Sequence, residues 1–156
     1  MATREINPAD GDRYEGDKVD GRPHGEGTLT FANGDSYVGG FMNGLRHGQG
    51  KLSINNGKSY EGEWTDGLPG GQGKEHTAGG DEYEGNFVKG VRHGKGNLKR
   101  ASGVTYKGDW NEGVPHGFGE EHHPNGPIYR GAYVNGKQQG KGFMAFQDGS
   151  SIDGNF

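Results

Sequence analysis

The chain has 156 residues, of which only 27% are hydrophobic and 35 are glycine, and it contains no cysteine. This composition excludes a disulfide framework and cysteine-ligated zinc, and it supplies too little aliphatic material for an ordinary two-layer core. The formal net charge of −4 lacks the basic excess typical of nucleic-acid binding, and no apolar run approaches the roughly 20 residues of a membrane-spanning helix. Aromatic side chains are therefore expected to supply most of the buried area.

The first segment, residues 1–13, contains no apolar stretch and does not predict a secretory signal. The sequence also lacks an N-x-[ST] glycosylation site, and together these features favour a cytoplasmic protein. Ile6, Asp10 and Gly11 match the end of the repeating pattern that follows. Residues 1–13 are therefore predicted to form a half-repeat that caps the array.

From residue 14 onward, a tyrosine recurs every 23 residues without an insertion, and isoleucine takes its place at residue 152. When each repeat is numbered from this tyrosine as position 0, glycine occupies positions 2, 7, 11, 13 and 20 in all six copies. A constant period of this length predicts a repeat protein. The predicted repeats are 14–36, 37–59, 60–82, 83–105, 106–128 and 129–151, and residues 152–156 begin a seventh.

Each repeat predicts a β-hairpin followed by a tight turn. Aromatic or glycine residues at positions 0, 2 and 4 alternate with polar residues, which indicates a strand with one aromatic face and one polar face. A second strand is predicted over positions 11 to 17, and symmetric closure of a six-residue loop would place position 4 opposite 11, 2 opposite 13 and 0 opposite 15. Pairs such as Asn33-Gly34 predict the turn into the next repeat.

Glycines at positions 2 and 13 of each repeat would normally weaken a strand. Here they are predicted to be sockets, which leave space for the aromatic rings of positions 0 and 4 to lie across neighbouring strands. A flexible glycine-rich linker is the alternative, but a linker does not need glycine at fixed positions.

A finer pattern joins the repeats in pairs of 46 residues. Repeats two and four share Phe at position 4, Arg at position 9 and Leu at position 15, whereas repeats three and five share Trp, Pro and Glu at these positions. By the predicted register, Glu75 lies opposite Tyr60, and Glu121 lies opposite Tyr106. Each glutamate would receive a Lys or Arg of a partner beside an aromatic ring, or would simply be solvated.

No catalytic signature occurs in the sequence, and the glycine-rich stretch 67–75 lacks the spacing of a phosphate-binding loop. Histidine fills position 10 in four repeats, but successive copies would lie two strands apart, about 9.6 Å, which is too far to share a zinc ion. We expect each imidazole to hydrogen-bond the loop of its own repeat, and we expect no cofactor or metal. The four residues are His24, His47, His93 and His116.

The predicted aromatic face is the main candidate for a functional surface. A single sheet has no second layer to cover it, so its rings are predicted to pack on one another over the glycine sockets, to form an apolar groove suited to a partner helix or peptide, or to do both. The predicted partner-binding residues are Tyr37, Phe41, Tyr60, Trp64, Glu75, Tyr83, Phe87, Tyr106, Trp110, Glu121, Tyr129 and Tyr133.

Basic residues at the loop edge offer an alternative function as a membrane tether. Phosphoinositides or other anionic lipids would bind them, and vesicle binding would then be salt-sensitive and lost when Arg46 and Arg92 are replaced by alanine. Acidic residues share this edge, which weakens the case. A sugar or choline binder built from aromatic hairpins is a further alternative, but such a protein would be secreted. The basic residues are Arg22, Arg46, Lys89, Arg92 and Lys137.

The stretches YEGEWTDGLPGG at 60–71 and YKGDWNEGVPHGFG at 106–119 resemble MORN repeats, and the resemblance extends over residues 14–156. It implies an all-β fold in which stacked hairpins form one elongated, twisted, single-layer antiparallel sheet. It also implies a non-catalytic scaffold that binds proteins at cytoskeletal or membrane-apposed assemblies, with dimerisation common in the family. The sequence departs from the family pattern at Lys18, Gly70, Gln139 and Ile152.

Overall fold

The computed structural model describes residues 11–156, and in that range it contains thirteen β-strands and no helix. All strands belong to one open antiparallel sheet whose order follows the sequence, as predicted. The strands are β1 (Arg13–Val19), β2 (Arg22–Thr30), β3 (Ser36–Met42), β4 (Leu45–Ser53), β5 (Ser59–Thr65), β6 (Leu68–His76), β7 (Glu82–Val88), β8 (Val91–Lys99), β9 (Thr105–Asn111), β10 (Val114–His122), β11 (Ile128–Val134), β12 (Lys137–Ala145) and β13 (Ser151–Asn155).

The described chain divides into two compact units. The first unit contains the described residues up to Ala78 together with Phe87–Val91, and the second contains Gly79–Asn86 together with Arg92–Phe156. Ile6 and Asp10, on which the predicted half-repeat depends, lie outside the described residues. Within residues 11–156, no helix is long and apolar enough to span a membrane.

The turn inside each hairpin is shorter than the six-residue loop predicted from sequence. In the first repeat it consists of Asp20 and Gly21, with φ of 51° and 77°, and positive φ recurs at both turn positions of all six repeats. Two consecutive residues with positive φ are characteristic of a type I′ turn, whose twist matches that of the strands it joins. The second strand therefore begins at position 8 of the repeat rather than at position 11.

The predicted register is confirmed at positions 0 and 2 and is wrong at position 4 within the hairpin. In the second repeat, Tyr37 pairs with Leu52, but Phe41 pairs with Arg46 instead of Gly48. The register shifts because the second strand carries a bulge at Gly48, whose φ is +77°. Gly48 pairs instead with Trp64, the position 4 residue of the following repeat.

The glycine sockets are confirmed for the tyrosine rings of position 0 by the close approach of neighbouring atoms. A methyl group on Gly50 would lie 2.1 Å from the hydroxyl oxygen of Tyr37, and one on Gly39 would lie 2.4 Å from the carbonyl oxygen of Gln49. The Tyr37 hydroxyl donates to the carbonyl of Gly40 at 2.8 Å. The same bond, from tyrosine to the carbonyl three residues later, recurs in every repeat. Only glycine leaves room for it.

The turn between repeats is also confirmed. The amide of Gly34 donates to the carbonyl of Phe31 at 3.0 Å, and the amide of Phe31 donates to the carbonyl of Asp35 at 2.8 Å. Gly34 has a φ of +96°, which explains the glycine at position 20.

Candidate interaction surfaces

The aromatic rings form a ladder within each unit. The ring at position 4 stands edge-on between the tyrosine of its own repeat and the tyrosine of the preceding repeat at Phe41 and Trp64 in the first unit, and at Trp110 and Tyr133 in the second. Trp64, for example, lies 5.2 Å from Tyr37 and 5.1 Å from Tyr60 between ring centroids, at interplanar angles of 87° and 88°. This edge-to-face geometry is the favourable one for aromatic pairs. In the second unit the same arrangement places Trp110 between Tyr83 and Tyr106.

All ten aromatic residues predicted to bind a partner are buried, with at most 4% of each side chain exposed. Of the two arrangements considered for the aromatic face, the structure shows the packed one, in which the rings are the core of the sheet and not an open apolar groove. The single sheet buries them because the rings pack edge to face on one another and each tyrosine lies over a glycine. Whether any of these residues contacts a partner stays a prediction.

Burial also raises the pKa of the tyrosines. The pKa values of Tyr37, Tyr60 and Tyr106 lie well above the ordinary value of 10.0, chiefly because the phenolate form would be desolvated. Carboxylates add to the effect, since Glu63 and Glu75 lie near Tyr60. These phenols therefore keep their protons to higher pH in the folded sheet than in the unfolded chain.

We expect the protein to unfold in alkali. The unfolded chain ionises its tyrosines near pH 10 whereas the folded chain does not, so the stability that the protonated phenols contribute is complete below pH 10 and is lost as pH rises above it. Tyrosinate absorbance and far-ultraviolet circular dichroism, followed in one pH titration, should change together. Tyrosine ionisation near pH 10 with the sheet intact would contradict the packing described above.

The two glutamates lie where the register placed them. Glu75 pairs with Tyr60, and Glu121 pairs with Tyr106. The carboxylate of Glu121 accepts a hydrogen bond from Gln138 Nε2 at 2.8 Å and lies 3.2 Å from His123 Nε2. Glu121 is thus engaged within the chain, and its role in receiving a partner cation stays a prediction.

Arginine side chains of the chain itself make the cation–π contacts that sequence reasoning assigned to a partner. The guanidinium carbon of Arg46 lies 4.6 Å from the Trp64 ring centroid, and its Nη2 donates to the carbonyl of Gly67 at 3.0 Å. In the second unit, Arg92 lies 4.9 Å from Tyr83 and 5.5 Å from Trp110. The expectation that Arg46 lies on a loop edge open to lipid is wrong, because only 5% of it is exposed.

This contact explains the two-repeat pattern. Arg46 lies on the ring of Trp64 and Arg92 lies on the ring of Trp110, so each tryptophan follows an arginine at position 9 of the preceding repeat. The indole offers the strongest aromatic face for a cation, which accounts for this pairing of arginine with tryptophan. Sequence reasoning found the alternation but not its cause, because the bulge shifts position 9 toward the following repeat.

Replacing Arg46 by alanine is expected to lower the free energy of unfolding by about 2 kcal/mol, because it removes a desolvated cation–π contact and a buried hydrogen bond. Urea denaturation measures this change. Arg22→Ala is the matched control. Arg22 is exposed beside the first hairpin turn, so its replacement should have little effect on the free energy of unfolding. Equal midpoints for the two variants would contradict the buried role of Arg46.

The histidines at position 10 bind the turn of the following repeat, not the loop of their own repeat as predicted. Nδ1 of His24 accepts from the amide of Asn43 at 3.3 Å, and Nδ1 of His116 accepts from the amide of Asn135 at 3.1 Å. The predicted loop does not exist, because the strand already includes position 10. Among residues 11–156, no group of His, Asp and Glu side chains is placed to hold a metal ion.

Exposed apolar side chains lie on both sides of the hairpin turns in the first unit, and sequence reasoning missed them. We call Val19, Met42, Val88 and Val91 the turn-edge residues, and they are 53%, 43%, 46% and 42% exposed. Successive turns are joined by hydrogen bonds, since from the second repeat to the sixth the amide of the turn glycine donates to the position 9 carbonyl of the preceding repeat at 2.8 to 2.9 Å. The sequence signal for this surface is an apolar residue at position 5 or 8 of a repeat. It was missed because these positions were predicted to lie in a loop.

Comparison with known proteins agrees with this architecture. One similar solved structure is the TCP domain of SAS-4 (dCPAP) of Drosophila melanogaster in complex with a proline-rich motif of Ana2 (dSTIL). Its sequence is 15% identical to this chain, and the two structures match with a TM-score of 0.56. The match covers 99% of this chain and 84% of that chain. No curated protein matches the sequence. The family described as MORN repeat matches six consecutive segments: 14–36, 37–59, 60–82, 83–105, 106–127 and 129–151. The chain therefore belongs to the MORN repeat family.

Proposed function

We propose that this protein is a non-catalytic scaffold that binds other proteins. The observation that carries this proposal is the row of exposed apolar side chains at the turn edge of the first unit, because solvent-exposed apolar groups aligned on a rigid element favour a protein contact. The similar solved structure, which is in complex with a proline-rich motif, supports a peptide as the partner. The repeated fold supplies rigidity, since the hairpin turns of repeats two to six are each hydrogen-bonded to the repeat before them.

The contact surface can be tested with a purified partner obtained by affinity capture. Isothermal titration should show stoichiometric binding to the intact chain, and the double variant Met42→Glu with Val88→Glu should weaken it at least about tenfold, since two carboxylates would be desolvated. Val38→Glu is the matched control, because Val38 is 55% exposed but lies outside the turn edge. Equal affinities of all three proteins would refute the assignment of the turn edge.

The aromatic face is the second surface proposed for a partner helix or peptide. Its rings are buried, so a partner lying there would meet ring edges together with Glu75 or Glu121. The double variant Glu75→Leu with Glu121→Leu separates the two surfaces. Loss of affinity for a basic partner would place the contact on the aromatic face, whereas unchanged affinity would leave the turn edge.

A lipid tether is the alternative function, and the structure removes one of its two test residues. Arg46 is packed against Trp64, so Arg46→Ala would report on folding and not on lipid contact. Self-association and a place at a cytoskeletal or membrane-apposed assembly in the cytoplasm belong to the proposal through the family alone. Light scattering on the purified chain tests the former by distinguishing the mass of one chain from the mass of two.

A further inference from the structure

Repeat three lacks a hydrogen-bonded histidine that its neighbours possess. In repeats one and two, the position 10 imidazole accepts from the first turn residue of the next repeat: His24 from Asn43 at 3.3 Å, and His47 from Asp66 at 3.5 Å. In repeat three, position 10 is Gly70, which has no side chain to offer to the corresponding amide of Lys89.

A cavity of about 430 Å³ lies at this place in the first unit. In the repeats that have a histidine at position 10, it contacts the first turn residue of the next repeat. The corresponding residues here, Gly70 and Lys89, both line the cavity. The walls are mainly apolar, and Asp66 and Lys89 bring opposite charges to the lining. The lining residues are Thr65, Asp66, Leu68, Pro69, Gly70, Phe87, Val88 and Lys89.

The backbone does not require glycine at position 70. Gly71 beside it has a φ of +105°, whereas Gly70 does not have a positive φ. A methyl group on Gly70 would meet the hydroxyl of Thr65 at 3.2 Å and no backbone atom closer than 3.9 Å. A side chain at position 70 would require only a small shift of the Thr65 side chain, so glycine is not needed for the backbone and its effect is to leave this space open.

We propose that this cavity binds the imidazole ring of a histidine carried by a partner protein. The ring would fill the apolar space between Pro69 and Phe87, accept a hydrogen bond from the Lys89 amide through one nitrogen, and donate from the other nitrogen to the Asp66 carboxylate. In the two preceding repeats an imidazole occupies the equivalent position and accepts from the equivalent amide, and the volume here also admits part of the peptide that carries the ring. This proposal rests on the proposed protein-binding function, because the histidine would belong to a partner protein.

The test uses the intact chain and two probes, 4-methylimidazole and the capped peptide acetyl-Gly-His-Gly-amide, at about pH 8, where an ordinary imidazole is neutral. Amide chemical shifts of Gly70 and Lys89 should move saturably with both probes. Gly70→His should remove this response, because its own side chain fills the cavity. His47→Gly should create a second site, reported by the amide of Asp66.

The outcomes separate the site from the function. Binding of the His peptide, with no binding of acetyl-Gly-Ala-Gly-amide and none to Gly70→His, supports the proposal. Binding of 4-methylimidazole without the His peptide would overturn the partner histidine and leave the scaffold function intact. A response at the His47→Gly site but none at Lys89 would overturn the cavity as a site. Equal responses of the intact chain and Gly70→His would also overturn it.

Discussion

Replacing Gly50 by alanine is expected to lower the free energy of unfolding by about 3 kcal/mol, which is the upper range for overpacking a core. The new methyl group would lie 2.1 Å from the hydroxyl oxygen of Tyr37 and 2.4 Å from ring carbon Cζ. Tyr37 cannot move aside, because it is fully buried between Phe41 and Trp64 and its hydroxyl is bonded to Gly40. Urea denaturation monitored by aromatic fluorescence measures the change.

Gly154→Ala provides the matched control for this substitution. Neither Gly50 nor Gly154 has a positive φ, but no atom lies within 4 Å of a methyl group built on Gly154. Its replacement should therefore be neutral or slightly stabilising. If both variants unfold at the same urea concentration, the ring does not occupy the glycine socket.

Trp64→Ala is expected to cost about 4 kcal/mol, because it leaves a cavity at the centre of the ring ladder. The indole is 2% exposed, contacts two tyrosine rings, lies under the Arg46 guanidinium, and donates from Nε1 to the carbonyl of Gly50 at 3.0 Å. The substitution also removes the indole ring on which the Arg46 guanidinium lies. Thermal and urea unfolding should both report it.

Phe118 offers a control of similar size and opposite environment. It is 62% exposed, so Phe118→Ala should change the free energy of unfolding by less than about 0.5 kcal/mol. A further variant, Trp64→Phe, should lie between the two, because it keeps a ring but loses the hydrogen bond. Comparable losses for Trp64→Ala and Phe118→Ala would mean that the ladder is not the core.

The sequence predicted those parts of the fold that depend on one hairpin alone. The pairing of Tyr37 with Leu52 and the sockets at Gly39 and Gly50 follow from alternation and a fixed period, and both are confirmed. The two-residue turn was missed, although Asp20-Gly21 is typical of a type I′ turn, because Lys89-Gly90 and Glu112-Gly113 at the same place are not.

The errors in the side-chain contacts of Arg46 and the position 10 histidines share a physical cause, which is that these contacts reach the next repeat. The bulge at Gly48 turns Arg46 toward Trp64, and His24 reaches the amide of Asn43. No pattern within 23 residues specifies such contacts. The aromatic face shows the same limit. The sequence predicted which tyrosine and tryptophan rings share this face, but their burial depends on rings one repeat away.

The pairing of position 9 with the ring of the following repeat restricts how the length of this protein can change. Deleting residues 60–82 alone would bring Arg46 beside Phe87, and would remove the indole that accepts its charge. Deleting residues 37–82 would instead bring Pro23 before Phe87, which reproduces the pairing of Pro69 with Phe87. Viable duplications and deletions in such arrays should therefore occur in units of two repeats, so that evolution and protein engineering alike would lengthen or shorten the sheet by 46 residues at a time.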